Sequence, residues 1–245
     1  MTKFTKILAV VAMLWLISAQ ATPLMAYDFK VGQLYYKVTD AANRKVAVVS
    51  ENSDYPYYKN EPTGTISIPA TVVNGGNTYS VTSIGEWAFA GCSGLTAINI
   101  PNSVTSIGAM AFLSCTGLTS INIPNSVTSI GNRAFENCSG LKQATVPGDI
   151  NFKDVFFVSN IERVVIAEGS TNIGKSSFSG CSNIKSITIP GSVTSIGERA
   201  FAGCRGLTSI NIPNGVTKIE YGTFSYCIYN HRTTKTNQKY PSVNL

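Results

Sequence analysis

The sequence predicts an α/β fold: a leucine-rich-repeat solenoid with a parallel strand ladder, about seven coils of about 23 residues, and an N-terminal β-hairpin cap. Three observations carry this. Phenylalanines recur in phase at Phe89, Phe112, Phe135, Phe178, Phe201 and Phe224, each followed three residues later by a cysteine. Apolar positions repeat as Leu-x-x-Ile-x-Ile, as in Leu95, Ile98 and Ile100. The interval from Ile130 to Ile173 fits one ordinary repeat and one shortened by about three residues, aligned without gaps from Ile150. That alignment puts Val155 in the phenylalanine slot, Val158 in the cysteine slot and the deletion in the turn between Pro147 and Ile150.

Within a unit, the last two apolar residues of the strand share one face by the period of two. Pro101 ends the strand because it has no N–H for a ladder. Gly85, Gly108, Gly131, Asn151, Gly174 and Gly197 follow, read as positive-φ turn residues, with Glu220 as the exception. Ala88, Phe89 and Cys92 have the spacing of a helix of one or two turns burying one side.

The domain reading runs in order. Residues 1–21 pair Lys3 and Lys6 with an apolar run and the small-residue pattern Ala19-Gln20-Ala21, a removable signal peptide with cleavage after Ala26 as the alternative. The run is too short for a comfortable membrane span, so no integral span is expected after its removal. Residues 22–63 form the cap, with strand-like Leu34–Val38 and Lys45–Val49 around a turn. This region and its continuation to residue 80 hold seven of the eleven tyrosines, read as cap core or as an aromatic ligand patch. Residues 64–227 are the solenoid. Residues 228–245 are a polar, basic tail that departs from the repeat, either truncated relative to a longer parent or covering the last coil. An uncovered last strand would be an edge for self-association.

Composition narrows the function. The formal charge of +6 looks suited to nucleic acid, but Lys3, Lys6, Arg232, Lys235 and Lys239 sit in the two end segments, which carry no acids. The remainder is near neutral and lacks a basic stripe with interleaved aromatics, so nucleic acid is not an expected partner. His231 is the sole histidine and stands in the tail, which argues against a histidine triad and supports reading the chain as no enzyme. No cofactor is expected.

Two motifs invite chemistry and have plainer readings. The six cysteines, Cys92, Cys115, Cys138, Cys181, Cys204 and Cys227, occupy one slot of the repeat, which reads as buried free thiols with side-by-side Cβ vectors ill suited to disulfides. No C-x-x-C pair suggests zinc. Gly169 to Ser176 matches the phosphate-binding pattern G-x-x-x-x-G-K-[ST], but Ile173 within it is a ladder residue. Pulling a buried isoleucine out of the stack would cost about 1.5–3 kcal/mol.

The pattern Ile-Gly-x-x-Ala-Phe-x-x-Cys-x-x-Leu-x-x-Ile-x-Ile-Pro resembles the BspA-like leucine-rich-repeat family of bacterial secreted and surface proteins, over about residues 64 to 227. The resemblance implies adhesion to host extracellular or bacterial surface proteins rather than catalysis, and it supplies no site residues. The expected localisation is secreted or cell-surface. The exposed strand positions are mostly small and neutral; the exceptions are Lys142, Glu162, Arg163 and Lys185, candidate protein-contact residues in three adjacent coils. The rival reading is a structural or assembly fragment of a larger surface protein without its own ligand.

Overall fold

The structure is a computed structural model and describes residues 26–150, 154–156 and 159–227. The expected signal peptide of residues 1–21, Asn151, Val158, His231 and the basic tail lie outside the described residues. Three strands come first: β1 (Phe29–Val31), β2 (Leu34–Asp40) and β3 (Lys45–Val49). A wall strand, β4 (Gly64–Ser67), is followed by the hairpin β5 (Thr71–Asn74) and β6 (Asn77–Ile84). Wall strands and short strands then alternate as β7 (Leu95–Asn99), β8 (Ser106–Ile107), β9 (Ser120–Asn122), β10 (Ser129–Ile130) and β11 (Gln143–Val146). The series closes with β12 (Arg163–Ile166), β13 (Asn172–Ile173), β14 (Ser186–Thr188) and β15 (Ser195–Ile196).

The wall is a parallel sheet in the order β4-β7-β9-β11-β12-β14. A second sheet runs β1-β2-β3-β6-β8-β10, with β5 beside β6. Its first strands pair antiparallel, and β3 then joins the repeat by pairing Val46 with Val81 and Val48 with Ile84 in parallel. β5 turns into β6 at Gly75 and Gly76, with φ of 57° and 77°, as a two-residue hairpin requires. Tyr35, Tyr36 and Tyr58 are buried, and the Tyr58 hydroxyl donates to the Ala88 carbonyl. Much of the tyrosine-rich segment is therefore packed as core, while Tyr55 stays exposed.

One apolar core runs between the sheets. The phenylalanine rings stack almost parallel, Phe89 on Phe112 at 5.2 Å, Phe112 on Phe135 at 4.9 Å and Phe178 on Phe201 at 5.7 Å. Stacking of this kind adds about 0.5–1.5 kcal/mol per pair beyond burial.

The expected helical turn is absent, and the described residues contain no helix. From Ala88 to Cys92 the chain makes consecutive turns, Ala90 N–H to Trp87 carbonyl at 3.0 Å and Cys92 N–H to Phe89 carbonyl at 3.1 Å. The intervening amides donate to the next coil: Phe89 to Ala111 at 2.7 Å and Gly91 to Leu113 at 2.8 Å. Left-handed residues at two places per repeat prevent continuation into a helix. One column includes Trp87, Met110, Arg133 and Arg199, the other Gly91, Ser114, Asn137, Gly180 and Gly203.

The glycines after each short strand also have a different cause from the expected one. Gly85, Gly108, Gly131, Gly174 and Gly197 do not lie in the left-handed region. They are needed for close approach: a Cβ on Gly108 would stand 2.5 Å from Glu86 N, and one on Gly197 would stand 2.7 Å from Lys175 N. At Glu220 the column carries a side chain, and among the described residues no backbone bond matches Gly197 N–H to Ile173 carbonyl at 2.8 Å.

The shortened coil is built differently from the gapless alignment. Phe156, not Val155, stacks on Phe135 at 5.4 Å, while Val155 takes the preceding alanine slot, its carbonyl accepting from Phe135 N–H at 2.9 Å. Ser159 fills the cysteine slot, its N–H donating to Phe156 carbonyl at 3.1 Å. The turn is cut further than expected: Gly174 N–H bonds to Gly148 carbonyl at 2.9 Å, so Gly148 stands where an isoleucine stands elsewhere. Across the gap, Asn125 Nδ2 donates to the Glu168 carbonyl at 2.7 Å, bridging the coils on either side.

The two glycine roles predict opposite tolerances. Gly108→Ala should destabilise the protein by about 1–3 kcal/mol through overpacking against the backbone. Gly180→Asn, in open space at a left-handed position where Asn137 already stands in its own coil, should cost under about 1 kcal/mol. Urea denaturation of both variants checks the contrast.

Candidate functional site

The wall strands bury alternate residues. Ala144, Val164 and Ile187 point into the core, while Gln143, Arg163 and Ser186 pair in register on the outer face. Just ahead of these strands, Lys142, Glu162 and Lys185 form a column. Glu162 N–H donates to Lys142 carbonyl at 3.0 Å and Lys185 N–H to Glu162 carbonyl at 2.8 Å. Backbone bonding therefore places three charged side chains on successive rungs.

The side chains respond to that spacing. Lys185 Nζ lies 2.9 Å from Glu162 Oε2. The hydrogen bond and charge of Lys185 hold the Glu162 carboxyl below its usual range, and the field of Lys142 adds to this. Arg163 is exposed one position along, with no ion pair to its side chain among the described residues. The four candidates are thus neighbours on one surface, with Glu162 neutralised by Lys185 and Lys142 and Arg163 left as surplus positive charge. Such solvated pairs contribute little to stability, about 0–1 kcal/mol.

The phosphate-loop match is built as an ordinary repeat turn. Ile173 is buried and pairs with Ile196. The amides of Ser170, Gly174 and Ser176 donate to Ala167, Gly148 and Glu198 carbonyls, and Lys175 Nζ pairs with Glu198 at 2.9 Å. Three of the amides that would cradle a phosphate are therefore committed to neighbouring carbonyls.

All six cysteines are free, and four of them are buried. Cys115, Cys138, Cys204 and Cys227 each donate a thiol hydrogen bond to the phenylalanine carbonyl of the preceding coil, Phe89, Phe112, Phe178 and Phe201, at 3.1–3.2 Å. The residue spacing located the slot but did not reveal this bond. Among the described residues no group of three or more His, Cys, Asp or Glu is placed to hold a metal ion. No described helix is long and apolar enough to cross a membrane.

A parallel wall, stacked phenylalanine arches and close-packed turns repeating along one axis define a leucine-rich-repeat solenoid. The chain belongs to the BspA-type family: the BspA type Leucine rich repeat region matches residues 54–157 and 150–240, in six copies. A leucine-rich repeat protein from Bacteroides ovatus is similar at 32% identity and a TM-score of 0.59, over 83% of this chain and 52% of that one. A leucine rich cell surface protein from Faecalibacterium prausnitzii has 32% identity and a TM-score of 0.53, over 85% of this chain and 54% of that one. A leucine-rich repeat protein from Eubacterium ventriosum shares the fold at 24% identity and a TM-score of 0.56, over 83% and 53%. The chain spans about half the length of these structures. The comparison with curated proteins gave no match.

Burial pushes the Cys92 and Cys138 thiols up to about 12, and raises Cys115 and Cys204 as well. These thiols should resist an aromatic disulfide reagent at pH 8 in the native protein and react once it is unfolded. Because their folded pKa is raised, the stabilisation they carry is complete below the unfolded value near 9 and is lost as pH rises from there towards about 12. Denaturant titrations at pH 7, 9 and 10.5 should show stability falling along that series.

Proposed function

We propose that the chain is exported and acts at the bacterial surface or in the host environment, binding a protein through its strand wall without catalysing a reaction. The observation that carries this is the column Lys142, Glu162 and Lys185 with Arg163 beside it, three cations and one carboxylate on a wall whose other outward positions are mostly small and neutral. Extended walls of repeat proteins bind other proteins over several coils, and charge on such a wall sets orientation and partner choice. Membership in the BspA-type family and likeness to a cell surface protein support this reading. The partner it fits is an extracellular host protein or a bacterial surface protein with an acidic face.

The test is capture of host extracellular matrix proteins and of bacterial envelope proteins by the purified chain. Arg163→Glu with Lys185→Glu should weaken a captured partner by tenfold or more, about 1.4 kcal/mol, with an unchanged unfolding midpoint. Binding indifferent to the double reversal would move the contact elsewhere. Absence of any partner, with association of the chain with itself, would favour a structural role in a larger assembly.

A further inference from the structure

The shortened coil leaves an open depression of about 690 Å³ beside the C-terminal ends of the wall strands. Its polar lining is Asn102, Asn122, Asn125, Ser126, Thr145 and Glu168. Asn122 and Thr145 are register partners in β9 and β11 and present their side chains from the outer face. Asn125 and Glu168 come from the turns on either side of the missing one. The volume falls within the range usual for small-molecule sites, about 300–1,000 Å³.

Two of these six side chains are held in place by hydrogen bonds. Asn125 Nδ2 is committed to the Glu168 carbonyl at 2.7 Å, which fixes its amide plane and leaves Oδ1 as an acceptor. Ser126 Oγ donates to the Val104 carbonyl at 2.8 Å, leaving its lone pairs to accept. The amides of Asn102 and Asn122 offer donors and acceptors, and the Glu168 carboxylate accepts only. Pro124 and Ala167 add small apolar surface.

The lining chemistry selects among ligands. It contains no cationic side chain, and Glu168 repels anions, so phosphorylated, sulfated or carboxylated ligands are poorly matched. It contains no aromatic ring and no closed apolar pocket of the kind that anchors a protein side chain. Ring hydroxyls both donate and accept, and neighbouring pairs of them match the two-sided amides and the twin oxygens of a carboxylate. We propose that this depression binds a neutral glycan through the hydroxyls of one or two hexose rings. The site is separate from the charged column and takes a different class of ligand from the protein partner proposed above.

The probe is an array of neutral oligosaccharides of host and bacterial types, followed by calorimetry on the full chain with those that bind. Saturable binding is expected, with a Kd on the order of 0.1–1 mM for so open a site. Asn122→Ala and Glu168→Ala should each weaken it tenfold or more at an unchanged unfolding midpoint, since both side chains are exposed. Arg163→Glu with Lys185→Glu should leave it unchanged, so failure here is distinguishable from failure of the protein-binding reading. Which sugars bind separates a host source from a bacterial one. Absence of saturable binding, binding confined to acidic glycans, or binding that survives both alanine substitutions would overturn the proposal.

Discussion

The structure depends on backbone hydrogen bonding between successive coils, which extends beyond the strand wall. In the wall it takes the form of a parallel ladder. In the arches, where no strand exists, amides such as Phe89 and Phe112 still donate to Ala111 and Ala134 of the next coil, at 2.7 and 2.8 Å. In the turns, Gly108 and Gly131 donate to Ile84 and Ile107, each at 2.8 Å. Buried peptide groups need partners, and in a coil too short to bond internally those partners lie in its neighbours. Close coil spacing follows, and from it the glycine columns, the near-parallel phenylalanine stacks and the thiol bonds to phenylalanine carbonyls.

What could be read from the residues follows the same division. The period, the parallel wall and the buried ladder of Ile, Phe and Cys were legible because side-chain burial repeats with the coil. The arch was misread because Ala88, Phe89 and Cys92 bury one side in a helix or in a turn series alike. The discriminating signal was the column Gly91, Asn137, Gly180 and Gly203, residue types enriched at positive φ, with Ser114 in the same place as the exception. The other glycine column was correctly located except in the shortened coil, where Asp149 and not Asn151 follows the Gly148 carbonyl that accepts from Gly174, and it was wrongly explained, because a contact with the preceding coil has no local signature. In the shortened coil, Phe156 beside Val155 was a better candidate for the ring stack than the gapless alignment allowed. The candidate charges were legible as residues, but the 2.9 Å contact between Lys185 and Glu162 required the stacking register.

Repetition also explains why the surface offers so few distinct sites. A coil that reuses one pattern presents the same small polar residues on each rung, and hydrogen bonds such as Asn99 Nδ2 to Ser67 Oγ at 3.0 Å satisfy them along the column. Recognition needs a departure from that pattern. The described repeats depart by charge at Lys142, Glu162, Arg163 and Lys185, and by length in the coil between Pro147 and Ile166. Both occur in the same part of the solenoid, on the strands β11 and β12 and their flanks.

The length departure persists because the wall prevents its closure. β11 and β12 pair without a slip from Gln143 with Arg163 to Val146 with Ile166, so the short coil takes full width in the ladder although its turn is cut. The neighbouring turns therefore cannot settle against one another by the thickness of a whole coil without breaking those bonds. Asn125 reaches across to Glu168, a contact between residues 43 apart in sequence, where most turn contacts span one repeat. A single side-chain bond ties the two turns together but does not fill the space of several missing residues. The depression is thus a consequence of keeping strand register fixed while shortening a turn, and its polar walls are the ordinary turn residues of the two adjacent coils, exposed where the intervening turn would have covered them.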